Sequence, residues 1–134
     1  YLGGTGSANK LDDYEEGTWT PSLGGNAQYN IQEGYYVKVG GIVYITMGIR
    51  ANVLGTGSTL QITGLPFSAA YDAGISPSYY DGAATNIYTL DGNLGSTTIT
   101  LYGRTSATNT ASQATAFFQN NARLYLSATY RTNA

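Results

Sequence analysis

The feature that most constrains this chain is an alternation of period two. In Ile42-Val43-Tyr44-Ile45-Thr46-Met47-Gly48-Ile49-Arg50, the residues Val43, Ile45, Met47 and Ile49 share one side of an extended backbone. Tyr44, Thr46 and Arg50 fall on the other side. Successive side chains of a β-strand point to opposite faces, so the segment covers a core with one face and leaves the other wet or half-buried. Residues 97–102 repeat the pattern with Ile99 and Leu101 inward, and residues 123–130 repeat it with Leu124, Leu126 and Ala128 inward. Shorter candidate strands are 18–23, 28–31, 35–39, 60–63, 86–90 and 116–119, rich in the Thr, Tyr, Val and Ile that suit a pleated surface. No sustained 3.6-residue period is found from Gly17 onward.

Turn signals separate these segments. They are Gly24-Gly25-Asn26, Glu33-Gly34, Gly40-Gly41, Gly55-Thr56-Gly57, Asp81-Gly82 and Asp91-Gly92-Asn93. Gly64-Leu65-Pro66 reads as the exit from a strand, because proline cannot donate within a ladder. Residues 104–114 are polar and unpatterned and read as a surface loop. Many short strands with frequent turns predict an all-β fold, an antiparallel β-sandwich of jelly-roll-like form. A chain of 134 residues suits one domain. We divide it into 1–16, a joint to something upstream, and 17–134, the sandwich. The joint is Gly-rich in 1–7, and residues 10–16 could make one short helical turn.

The exclusions follow from residues the chain lacks. It has no cysteine, hence no disulfide, thiolate metal site or thiol nucleophile. It has no histidine, which removes the commonest general base and transition-metal ligand. Six basic residues and a net charge of −2 leave no stripe to track a phosphate backbone, so no nucleic-acid partner is expected. No apolar run approaches the roughly 20 residues of a membrane helix, so no membrane insertion is expected. No cofactor and no metal is expected. Charged residues are only 10% of the chain, so its surface is built from Thr, Ser, Asn, Gln, Gly and Tyr. Surfaces short of Lys and Glu resemble interface cores, and a closed oligomer would bury them.

Thirteen tyrosines stand against three phenylalanines. Tyrosine offers a flat apolar face and a hydroxyl, which suits recognition, although most of the thirteen can simply cover half-buried sheet. The segment 71–82 brings Tyr71, Asp72, Tyr79, Tyr80 and Asp81 together between turn residues. A glycan needs such pairs, a ring to stack on and a carboxylate to accept from hydroxyls, so Tyr79, Tyr80 and Asp81 are the first candidates for a glycan-binding site, with Tyr71 and Asp72 beside them. Arg104 could hold an acidic sugar bidentately, or could be a plain exposed arginine. Trp19 could be a sugar platform; beside the joint and between Thr18 and Thr20 it reads better as a structural anchor. Asp12, Asp13, Glu15 and Glu16 lack calcium-loop spacing, and a solvated terminal cluster is a poor place to raise a catalytic pKa. Gly55-Thr56-Gly57-Ser58-Thr59-Leu60 has no Gly-Lys-[ST] after it and reads as a hairpin turn.

Gly17-Thr18-Trp19-Thr20-Pro21, preceded by Leu11-Asp12-Asp13-Tyr14-Glu15-Glu16, resembles the start of a C-terminal domain of phage tail fibres and tailspikes. Tyr36-Val37-Lys38-Val39-Gly40 before a hydrophobic strand, Ile62-Thr63-Gly64-Leu65-Pro66-Phe67, and a last strand ending in Ala128-Thr129-Tyr130 resemble the same group, so the likeness spans nearly the whole chain. The resemblance implies a homotrimeric β-sandwich at the tip of a virion fibre, joined to an upstream stem. It also implies contact with a host surface glycan or lipopolysaccharide, and no enzymatic activity. The alternatives are a purely structural trimerisation cap and a glycan-degrading tailspike module.

Overall fold

The computed structural model describes residues 13–107 and 111–134, and they form two antiparallel sheets. The first has the order β1-β2-β3-β10-β6, built from Tyr14–Thr18, Gln28–Val39, Ile42–Val53, Arg123–Arg131 and Ser76–Asp81. The second has the order β4-β8-β7-β5, built from Gln61–Thr63, Thr98–Arg104, Thr89–Ser96 and Ala69–Gly74, with β9 (Gln113–Ala114) added on β8. No helix occurs among the described residues. The inner faces of both sheets contribute to one hydrophobic cluster, as expected for a sandwich.

The alternation read in the sequence sets the inner faces. Val43, Ile45, Met47 and Ile49 of β3, Ile99 and Leu101 of β8, and Leu124, Leu126 and Ala128 of β10 are all buried. Strands β3 and β10 pair in unbroken register from Arg50↔Arg123 to Ile42↔Arg131, which keeps both apolar sets on the same side. Phe117 and Phe118 close the core edge-to-face, with ring centroids 4.9 Å apart. The segment that carries them hangs its backbone amides on the carbonyl of Thr59, at 2.8 Å, rather than pairing as the expected strand 116–119.

Several expected boundaries move. Residues 28–39 form one strand, because Glu33-Gly34 is not a turn. Gly34 lies opposite Met47, and a Cβ there would stand 2.7 Å from Trp19 Nε1, so the missing side chain makes room for the indole. Asp91-Gly92-Asn93 also runs through a strand; Gly92 packs beneath the Ile75 side chain, and the chain reverses instead at Ser96-Thr97. That moves the strand expected at 86–90 to Thr89–Ser96. The strand expected at 18–23 is reduced to the last residue of β1 and a single bridge from Ser22 to Thr63. The loop expected over 104–114 is shortened at its end, where Gln113 and Ala114 pair with β8. The helical turn expected over 10–16 is overturned from Tyr14 onward, where β1 pairs with β2. Residues 1–12, including most of the expected joint, lie outside the described residues.

Candidate functional site

The outer face of the first sheet can be read row by row from the register. One row runs Glu33, Gly48, Tyr125, Tyr79; the next runs Ile31, Arg50, Arg123, Asp81; the row on the other side runs Thr18, Tyr35, Thr46, Ser127, Ser76. Odd positions of β10 and even positions of β3 must share this face, because their neighbours point into the core. The result is an open groove of about 350 Å³ lined by Glu33, Tyr35, Tyr44, Thr46, Ser78, Tyr125 and Ser127. Tyr35 is 55% exposed and Tyr44 47%. Gly48 is buried beneath the groove: a Cβ there would lie 2.6 Å from Tyr125 Cε1 and 3.1 Å from Glu33 Oε1. The ring of Tyr125 and the carboxylate of Glu33 therefore converge over a bare stretch of backbone.

One end of the groove is pinned by an ion pair. Arg123 donates from Nε to Asp81 Oδ1 at 3.2 Å and from Nη2 to Asp81 Oδ2 at 2.9 Å, a bidentate fork. The same Nη2 donates to Tyr79 Oη at 3.2 Å, and the guanidinium carbon lies 4.9 Å from the Tyr79 ring centroid. Hydrogen bonding from Arg123 holds the Asp81 carboxyl below the usual carboxylate range, helped by the charges of Arg123 and Arg50. Tyr79 and Tyr125 meet at a tilted 6.4 Å. Ser78 sits in a bulge opposite Tyr125 and donates to the Tyr125 carbonyl at 3.2 Å, which re-aims the strand at this point.

The structure thus divides the residues singled out in the sequence. Segment 71–82 is not a loop between turns but two strands in two different sheets, β5 and β6. Tyr79 and Asp81 reach the outer face, while Tyr80 alternates inward and packs edge-to-face on Phe117 at 5.8 Å. Tyr71 is 71% exposed on β5, and Asp72 beside it accepts from Asn93 Nδ2 at 3.4 Å. Arg104 lies on the outer face of the second sheet, directly opposite Thr89, in a separate polar groove of about 370 Å³ with Thr85, Thr105 and Gln113. Trp19 is only 6% exposed, so its ring offers no surface for stacking. The sequence reading missed Tyr35, Tyr44, Glu33, Tyr125 and Arg123. All are outward positions of strands whose inward alternation was legible, and that parity was the available signal.

The terminal acids are engaged locally. Lys38, buried on the inner side of β2, donates to Asp13 at 2.7 Å with its ammonium 5.8 Å from the Phe67 ring. Tyr36 donates to Glu15 at 2.8 Å and Tyr14 to Glu16 at 2.6 Å, and each hydrogen bond raises the tyrosine's pKa. Asp12 and Lys10 lie outside the described residues. Among the described residues no cluster of three or more acids is placed to hold a metal ion. The chain matches no protein-family model and no curated protein.

Proposed function

We propose that this chain is the host-recognition tip of a virion tail fibre or tailspike, a jelly-roll-like sandwich that works as a homotrimer and binds a cell-surface glycan without cleaving it. The observation that carries the reading is the groove over Gly48. Rings of Tyr35, Tyr44 and Tyr125 offer faces for sugar C–H surfaces, and Glu33, Ser78 and Ser127 offer partners for hydroxyls. Bidentate pairing of Arg123 with Asp81, and the contact of Arg123 with Tyr79, hold the Tyr79 ring in place at the groove's end, so that ring has little side-chain freedom to lose on binding. The groove is shallow and open, which suits a polymer lying across it, and three copies on one tip would add avidity to weak single sites. A hydrolase would need a carboxyl with a raised pKa beside a second one. Glu33 is the one carboxyl among the described lining residues of the groove, and Asp81, at its end, is held in the Arg123 fork and shifted the opposite way.

The test is binding of the fluorescently labelled chain to a panel of bacterial strains, with and without periodate treatment of the cells. Periodate-sensitive binding to a narrow set of strains, lost in Tyr35→Ala and Tyr44→Ala, is the expected result. Oligosaccharide release by the chain would revive the glycan-degrading alternative. Absence of binding to every strain by a correctly assembled oligomer would leave the second reading, a structural trimerisation cap. That reading is favoured by a different observation, the exposed apolar row of Tyr14, Val39 and Ile42 farther along the same face.

A further inference from the structure

The outer face of the first sheet changes character along its strands. At the end away from the Arg123–Asp81 pair, one cross-strand row reads Tyr14, Val39, Ile42, Arg131, and the next reads Glu16, Val37, Tyr44, Thr129. Val39 is 43% exposed and Ile42 47%, on β2 and β3, and Tyr14 and Tyr44 flank them with comparable exposure. An outward strand face normally carries polar residues, as the second sheet's does with Thr98, Thr100 and Arg104 of β8. No described residue covers the apolar middle of this patch, and contiguous exposed apolar surface of this kind marks an interaction site.

Charge says what covers it. The patch is acidic at the β1 corner, through Glu16, and basic at the β10 corner, through Arg131, with only uncharged residues between them. Arg131 forms no ion pair with any described residue, unlike Arg123 and Lys38. A patch that is acidic on one side, apolar in the middle and basic on the other can close a ring of copies head to tail, the acidic corner of each meeting the basic corner of the next. A nucleic acid or an acidic polymer would be repelled by Glu16, and a basic partner by Arg131. Neighbouring copies of this chain in a closed ring satisfy both corners, one neighbour at Glu16 and the other at Arg131, and cover Val39 and Ile42.

We infer that this end of the first sheet's outer face is the contact between copies of the chain, with Glu16 of each copy set against Arg131 of another across Val39 and Ile42. The inference shares with the proposed function only the claim of assembly. It adds the surface, and it places the Gly48 groove at the rim of the contact, with Tyr44 at the boundary between the two.

The test measures the mass of the 134-residue chain in solution at tens of micromolar, by light scattering or native mass spectrometry. The wild-type chain is expected as a multiple of the protomer. Ile42→Lys and Val39→Lys, both at exposed positions, are expected to shift it toward the protomer mass while circular dichroism and thermal midpoint show an intact fold. Glu16→Arg and Arg131→Glu are each expected to weaken association, by about fivefold for each pair lost, and the double variant to recover it. A wild-type protomer, an assembly that survives Ile42→Lys, or a charge reversal that the double variant does not rescue would each overturn the inference. Periodate-sensitive cell binding is scored separately on Tyr35→Ala, whose groove residue lies outside the contact rows, at unchanged mass in solution, so an error in the contact surface and an error in the receptor reading give different results.

Discussion

The ring of Tyr125 occupies the space above Gly48 on the neighbouring strand: an added Cβ at Gly48 would lie 2.6 Å from Tyr125 Cε1. The two residues are direct cross-strand partners, so the contact is set by the β3–β10 register rather than by a loop. The groove owes its floor to this pairing.

Gly48→Ala is therefore expected to displace Tyr125 and destabilise the chain by about 1–3 kcal/mol, as overpacked sites do. Combining it with Tyr125→Ala should recover part of that loss, since the clash disappears. Denaturant unfolding of the two single variants and the double variant measures the coupling, and simple additivity would contradict the contact.

Gly34→Ala makes the same demand beneath the other aromatic. A Cβ at Gly34 would meet Trp19 Nε1 and the Trp19 carbonyl, both at 2.7 Å. The Trp19 carbonyl is backbone and cannot swing away. A loss of about 1–3 kcal/mol is expected, with the fluorescence of the single tryptophan shifted to the red as the indole leaves its buried seat. An unshifted spectrum with unchanged stability would contradict the packing.

The Arg123–Asp81 fork predicts an acid response. Asp81 has a depressed pKa in the folded chain, chiefly because Arg123 donates to it. A depressed carboxyl contributes its stabilisation above the ordinary carboxylate value, and loses it as pH falls through that value and then through the lower folded one. NMR titration of the Asp81 carboxyl should show a midpoint below that of an exposed aspartate, and Arg123→Gln should return it to the ordinary range. An unmoved midpoint in Arg123→Gln would remove the fork as the cause.

Tyr130 predicts an alkaline response of opposite sign. Burial pushes its hydroxyl up to about 12, and the hydroxyl donates to the Phe67 carbonyl at 2.8 Å, a bond that only the protonated form can make. The folded chain holds this proton more tightly than the unfolded chain, whose tyrosines titrate near 10. The contribution is complete below about 10 and is lost as pH rises from there through about 12. Tyr130→Phe should flatten the stability profile in that window, while costing about 1 kcal/mol at neutral pH through the unpaired carbonyl. Equal alkaline slopes in the two chains would contradict the assignment.

What the sequence determined by itself is the inward half of the sandwich. Alternation in 42–50, 97–102 and 123–130 named Val43, Ile45, Met47, Ile49, Ile99, Leu101, Leu124 and Leu126 as core, because a period of two has one reading on an extended chain. Tertiary structure alone decided what the glycines and the tyrosines do. Glu33-Gly34 and Asp91-Gly92 look like turns, yet these glycines sit inside strands because Trp19 and Ile75, distant in sequence, need the space of a side chain. Tyr79 and Tyr80 look like one aromatic pair, yet strand parity sends the first to solvent and the second to Phe117. The outward face was the least legible part, because its rows are assembled from strands β1, β2, β3, β10 and β6, and only pairing across the sheet brings Glu33, Gly48, Tyr125 and Tyr79 into line. Local pattern fixes which way a side chain points; which side chains stand next to it depends on long-range register, and no short stretch of sequence encodes that.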